Sequence, residues 1–386
     1  MKKNRNIAFF SNSIGMGGAE KALSKIVNSK LWGKNNYTIN LIFNQRAKKH
    51  ELEIKNIFDS SVAISFLPGN LTLKNPLNSK KLLDSVIDAL NIKCVFTLMT
   101  GMSRNLLWYK FFKKTDLKVI TMERNNPLGL YYGNKLKQLF YYFEFKLIYK
   151  NANGVISNSK ELSKLYEHLY GNERCKYCCI GNPVDFSALN QKISQNSVKN
   201  IHNKYKKIFS SPFMLNVGRL EIQKDHTFLI NQFSKIKDLV QHKLVILGSG
   251  SQRDVLLKQI ESLNLKDRVF IIEYESNPYP FFKFCDLFLL TSKWEGMPNV
   301  ILESLYFNKK VLSLNTDFGP RELAKEFANI HILDNRHKED FYMRILEVLS
   351  ADHINDTSRL AKLKDFDLEN IALRYIEFAN QIMSKK

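Results

Sequence analysis

Short, mostly apolar runs alternate with longer segments whose apolar residues recur every three or four positions. In the first half the runs fall at 6–10 (Asn-Ile-Ala-Phe-Phe), 37–43, 62–66, 93–98, 117–122 and 154–157. Their near-continuous apolarity predicts strands buried on both faces. Helical spacing lies between them, near 19–30, 79–90, 103–114, 131–150 and 159–170. The stretch 186–211 is polar and rich in Asn, Ser and Lys, so it reads as a linker. The pattern then restarts. Strands are expected at 213–217, 243–247, 268–272, 286–290, 310–314 and 329–332, and helices at 226–237, 252–263, 299–307, 320–327 and 337–350. A last amphipathic segment places Leu368, Ile371, Ala372, Tyr375, Ile376 and Ala379 on one helical face. The expected fold class is α/β, with two doubly wound, Rossmann-like domains. Their expected bounds are 1–185 and 212–365, with 186–211 between them. Residues 366–386 form a closing helix free to cross back to the first domain.

The chain has 386 residues, a hydrophobic share of 44% and a charged share of 25%, ample for two buried cores. No apolar run is long enough to span a bilayer. The opening Met-Lys-Lys-Asn-Arg-Asn-Ile-Ala-Phe-Phe breaks off at Phe10, too short for a signal core. It reads as the first strand of a cytoplasmic protein. Five scattered cysteines (Cys94, Cys175, Cys178, Cys179 and Cys285) make no disulfide framework. The cluster at 175–179 lacks the second ligand pair a zinc site needs, so no metal is expected there. The net charge of +21 is uneven: residues 1–190 carry 29 basic and 13 acidic side chains, or +16. An excess of that kind points to an anionic partner. No helix-turn-helix, zinc-finger or aromatic RNA-binding signature accompanies it, which argues against nucleic acid.

Candidate chemistry gathers in loops that follow predicted strands. After 6–10 comes Ser11-Asn-Ser-Ile-Gly15-Met-Gly17-Gly18-Ala-Glu20, where paired glycines precede a helix. The dinucleotide fingerprint is not met, so hydride transfer is a poor fit. After 213–217 comes Gly218-Arg219, with Lys224 ahead of Asp225, a candidate N-cap. A guanidinium fork beside a mobile ammonium suits a diphosphate. After 243–247 comes Gly248-Ser249-Gly250, a turn that permits close approach. The most informative stretch is Trp294-Glu295-Gly296-Met297-Pro298-Asn299, with Glu303 inside the helix that follows. Pro298 suits a helix start. Two carboxylates around such a terminus fit sugar and ribose hydroxyls on either side of a phosphate. Gly319-Pro320 begins one more helix.

Taken in order, these segments resemble the family 4 (group 1) glycosyltransferases, a large retaining family with the GT-B fold, in which two Rossmann-like domains face each other across a cleft. The resemblance spans most of the chain. It rests on Gly-Gly-Ala-Glu, Asn182-Pro183-Val184-Asp185, Gly-Arg-Leu with Gln-Lys, Leu-Gly-x-Gly, Trp-Glu-Gly-Met-Pro-Asn with Glu303, and Gly-Pro-x-Glu. It implies that Arg219 and Lys224 bind the donor diphosphate and that Glu295 contacts the transferred sugar. Glu303 would hold the ribose. Gly17, Gly18, Gly218, Gly248, Met297, Pro298 and Asn299 would complete the donor site.

One departure stands out. Many members carry a His after the strand at 117–122, whereas this chain reads Glu123-Arg124-Asn125, as a subset of the family does. These three residues are expected near the sugar or the acceptor.

The resemblance further implies a nucleoside diphosphate sugar donor, with UDP favoured, and no metal or other cofactor. The acceptor would be a glycan, free or linked to a polyprenyl diphosphate, in capsule, O-antigen or exopolysaccharide assembly. A nucleotide-sugar epimerase on the same fold is the enzymatic alternative. Aromatic and Lys residues interleave at 106–114 and 135–150, a composition suited to an anionic membrane surface. A peripheral position at the inner face of the plasma membrane follows. A core helix with basic flanks is the alternative for 135–150.

Overall fold

The computed structural model describes residues 5–12, 18–71, 76–127, 135–316, 318–352, 354 and 356–384. Two compact units emerge. One comprises Met1–Pro183 with Phe366–Lys386; the other is the continuous stretch Val184–Asp365.

The first unit holds a seven-stranded parallel sheet in the order β3-β2-β1-β4-β5-β6-β7. Its strands are β1 (Arg5–Ser11), β2 (Tyr37–Phe43), β3 (Ala63–Phe66), β4 (Cys94–Leu98), β5 (Lys118–Glu123), β6 (Gly154–Ser157) and β7 (Lys176–Cys179). The central strands are mostly apolar and buried almost throughout, as both-face coverage demands. β7 is absent from the hydrophobic pattern. It is an edge strand, Lys-Tyr-Cys-Cys, only half-buried, and it needs a partner on one side alone. Its Cys178 and Cys179 are not joined in a disulfide.

The helix Leu368–Met383 packs into this unit's core. Ile371, Tyr375, Ile376, Ala379 and Ile382 join Ile7, Phe9, Phe96 and Met122 in one cluster. Gly154 shows how close the approach is, since an added Cβ would lie 2.6 Å from the Phe378 ring.

The second unit has a six-stranded parallel sheet, β10-β9-β8-β11-β12-β13. Its strands are β8 (Phe213–Val217), β9 (Lys243–Leu247), β10 (Val269–Ile272), β11 (Leu287–Leu290), β12 (Lys310–Leu314) and β13 (Ile330–Leu333). The stretch 186–211 is not a linker. It forms three helices of this unit: Phe186–Lys192, Gln195–Lys204 and Lys206–Phe209. Leu189, Ile201 and Ile208 anchor them in the interior, and Asp185 caps the first by accepting from the Ala188 amide at 2.9 Å. A few apolar residues at helical spacing suffice where a capped helix lies on a preformed sheet. The helix Tyr279–Phe284 is also absent from the pattern, because Pro278 and Pro280 read as a loop.

Candidate functional site

In each sheet the strand order reverses once. The reversal falls between β1 and β4 in the first unit and between β8 and β11 in the second. Open α/β sheets bind ligands beyond the carboxyl ends of the strands at such a switch point. The second unit places two expected residues there. Lys224 Nζ lies 2.5 Å from Glu295 Oε1, with side chains only 15% and 9% exposed. Lys224 comes from the turn after β8 and Glu295 from the loop after β11.

The two loops are laced together. Gln223 Nε2 donates to the Trp294 carbonyl at 2.9 Å, and the Lys293 amide donates to the Gln223 carbonyl at 2.8 Å. Thr291 Oγ1 donates to the Lys224 carbonyl at 3.1 Å. Gly218 gives the Lys224 stem its path, because a Cβ there would meet Lys224 Cδ and Cε at 3.2 Å. Arg219 is exposed, and its guanidinium approaches Gln223 Oε1 at 3.5 Å. The two cations thus differ: the Lys224 ammonium is paired and largely buried, and the Arg219 guanidinium is exposed.

Other expected residues take different roles. A Cβ on Gly248 would lie 1.8 Å from the Gly218 carbonyl oxygen, and one on Gly250 would lie 2.5 Å from that of Leu220. Both glycines therefore let the turn after β9 sit directly on the β8 loop, and neither needs a ligand to explain it. Gly319, at φ +82°, packs likewise, with a Cβ position 2.1 Å from the Gly296 oxygen. Met297 and Pro298 are buried, so their side chains hold the loop together. Pro298 precedes the helix Asn299–Tyr306, where Asn299 opens the first turn and Glu303 sits half-buried in the second. Burial and then the Glu303 charge push the Tyr279 hydroxyl upward. Asp225 precedes its helix but makes no side-chain cap. Its backbone, at φ 51° and ψ 46°, is left-handed rather than the extended form that capping uses.

In the first unit Gly17 lies outside the described residues. Gly18 opens the helix Gly18–Val27, and a Cβ there would meet nothing within 4 Å. Glu123, expected near the sugar or acceptor, is fully buried. Its carboxylate accepts from Tyr149 at 2.7 Å, Thr100 at 2.9 Å and Tyr166 at 3.4 Å, so it serves the core. It points inward because β5 alternates its side chains and this position faces the covering helices. Arg124, next along, is buried and donates to Asn182 Oδ1. Asn125 is exposed.

Comparison with known proteins places the chain. Residues 197–363 match the family model described as Glycosyl transferases group 1. A Campylobacter jejuni N-acetylgalactosamine-N,N'-diacetylbacillosaminyl-diphospho-undecaprenol 4-alpha-N-acetylgalactosaminyltransferase is 27% identical, covering 96% of this chain and 99% of that protein. Over residues 197–363 the chain is that of a group 1 glycosyltransferase. An uncharacterized glycosyltransferase of Methanocaldococcus jannaschii is 32% identical, over 58% of this chain and 55% of that protein. The solved structure of an Anabaena protein in complex with UDP and glucose superposes with a TM-score of 0.71 at 18% identity, covering 98% of this chain and all of that one. The GT-B fold of this glycosyltransferase is therefore the one its motifs imply.

Several supports of this glycosyltransferase's site are not motif residues. Asn216, a polar residue inside the apolar β8, is 1% exposed; its amide donates to the Leu289 carbonyl at 2.8 Å and its oxygen meets His226 Nε2 at 2.9 Å. Together they tie β8 to β11 and to the helix after the Lys224 turn. The one signal in the sequence was a polar residue where the pattern required an apolar one.

Proposed function

We propose that this group 1 glycosyltransferase moves a hexose or N-acetylhexosamine from a UDP-sugar to a lipid-linked glycan acceptor, with retention and without a metal ion. The observation that carries this reading is the Lys224–Glu295 pair at the β8/β11 switch point, with Arg219 exposed beside it. The Anabaena complex with UDP and glucose favours UDP, and the C. jejuni relative's name favours an acceptor on diphospho-undecaprenol.

Loss of the nucleoside diphosphate builds negative charge on its oxygens. Fixed cations stabilise that charge most where water is excluded. Lys224, held in place by Glu295, needs little reorganisation to meet it. Arg219 is free to swing in and add a bidentate contact. Glu295 then turns its second oxygen toward the transferred sugar, Glu303 takes the ribose hydroxyls, and Asn299, in the first turn of its helix, offers a backbone amide to the phosphates. No carboxylate here is assigned as a general base; the leaving phosphate takes the acceptor proton.

The acceptor reading places the first unit on an anionic bilayer at the inner face of the plasma membrane. Its helix Lys135–Ile148 buries Glu144, Phe145 and Ile148 but exposes Leu136, Leu139, Phe140, Phe143 and Leu147. That outer stripe does not fit a core helix. Phe111 and Phe112 extend it from the helix Met99–Lys113, joined to the first by Arg104 and Trp108, which both donate to Glu144. Lys135, Lys137, Lys146 and Lys150 belong to the same segment. Among the described residues no helix is long and apolar enough to cross a membrane.

The test is transfer from UDP-hexoses and UDP-N-acetylhexosamines to a polyprenyl-linked acceptor. Arg219→Ala, at an exposed position, should leave stability unchanged and lower kcat by about 10²-fold or more. Lys224→Ala should do the same to kcat and also leave Glu295 unpaired. Wild-type rates in both variants would sink the assignment. Conversion of the donor to its epimer without acceptor would show the epimerase instead.

A further inference from the structure

The carboxyl ends of β5, β6 and β7, three adjacent strands, bring together Arg124, Asn158 and Asn182, which are 7%, 4% and 4% exposed. A guanidinium this deeply placed normally has a carboxylate partner, because an uncompensated buried charge is among the costliest arrangements a fold can hold. Arg124 has none among the described residues. Its Nη1 donates to the neutral Asn182 Oδ1, and its Nε is buried without a partner. Glu123 cannot serve, because alternation along β5 turns it to the opposite face, where three hydroxyls occupy it.

The surroundings share this shortfall. Among the described residues Asn158 Oδ1 and the Tyr375 hydroxyl are also buried without hydrogen-bond partners. Burial raises the Tyr375 hydroxyl, and the Arg124 charge opposes that rise, so the two groups lie within electrostatic reach. Neutral polar neighbours and an orphan donor make a site whose missing component is negative. A phosphate oxygen supplies the charge and accepts from the guanidinium edge.

We propose that Arg124 is an anion-binding residue of the first unit, holding a phosphate oxygen of a substrate diphosphate beside Asn182. Only the source of that phosphate rests on the glycosyltransferase reading: it belongs either to the nucleotide donor or to a polyprenyl diphosphate acceptor.

The test uses the full chain with Arg219→Gln and Lys224→Gln, which removes the diphosphate contacts proposed in the second unit. Pyrophosphate binding is then measured by calorimetry with and without Arg124→Met, a change that deletes the charge at similar volume. Binding should weaken about tenfold or more, as expected for loss of a charge-assisted contact. The ligand-free Tm should stay level or rise, since a buried unpaired charge has been removed. Arg124→Lys should bind with intermediate affinity and provides the measurement if Arg124→Met does not fold. Repeating the titrations with UDP and with a short-chain polyprenyl diphosphate identifies the source as the ligand whose affinity falls. Unchanged pyrophosphate affinity in Arg124→Met, or a Tm loss with unchanged affinity, overturns the proposal and leaves Arg124 a structural tie. Failure of the donor reading is separate: UDP affinity would then be indifferent to Arg219→Gln and Lys224→Gln.

Discussion

Lys224 and Glu295 lie 71 positions apart in sequence and form one ion pair in the fold. Beneath them His226 is 2% exposed, and burial followed by the nearby Lys224 charge pushes its imidazole down to about 4. The folded protein therefore holds His226 neutral where an unfolded chain would begin to protonate it. Between pH 6.5 and about 4 the unfolded state binds the extra proton, so stability falls as the pH falls through that window. The full loss is about 3 kcal/mol, from the size of the shift. Unfolding of the wild type and of His226→Gln between pH 7 and pH 4 should show a shallower acid loss in the variant. Equal slopes would mean that His226 does not set this dependence. Residues of this sort are where sequence reading stops short. Glu123, Arg124 and Asn125 are consecutive and equally polar in the sequence, yet one is sealed in the core, one is buried with an orphan donor and one faces solvent. Strand alternation separates them, and only the positions of the covering helices say which face is closed.

At the level of elements, the strands were legible because a strand buried on both faces is a near-continuous apolar run. β8, β9 and β12 match their runs residue for residue. The turns were legible as glycine turns but not in purpose. Gly248 and Gly250 admit a neighbouring loop, and a ligand would impose the same demand for a missing Cβ. The edge strand β7 and the helices over 186–211 escaped because elements with one dry face carry few apolar residues. The helix Lys135–Ile148 shows the reverse, with more apolar residues than its packing uses. Serine at Leu136, Phe140 and Phe143, which are 82%, 63% and 59% exposed, should leave Tm unchanged. Co-sedimentation with anionic vesicles should drop about tenfold or more, given the transfer energy of the lost side chains. Binding that ignores both these changes and anionic lipid content would remove the membrane reading.

For the molecule as a whole, one unit is continuous in sequence and the other is not. The helix Leu368–Met383 buries Ile371, Tyr375, Ile376, Phe378 and Ile382 in the first unit. Their burial is worth on the order of 10 kcal/mol, comparable to the whole stability of a typical domain. A chain ending at Asp365 should therefore lose the first unit's unfolding transition while keeping the second's. A fragment spanning 184–365 should fold alone. Two intact transitions in the shortened chain, measured by calorimetry, would show that the helix is dispensable.

The return of that helix sets a schedule for synthesis. On the ribosome the amino-terminal unit emerges first, yet its last core residues are translated after every residue of the second unit. The order of completion is thus inverted relative to the usual progression from the amino terminus. The half-built sheet must wait, with the apolar surface around Phe96 and Met122 uncovered, for the time needed to make about 180 residues. At roughly 5–20 residues per second that is on the order of ten seconds or more. Chaperone demand for this enzyme should accordingly fall on the nascent first unit.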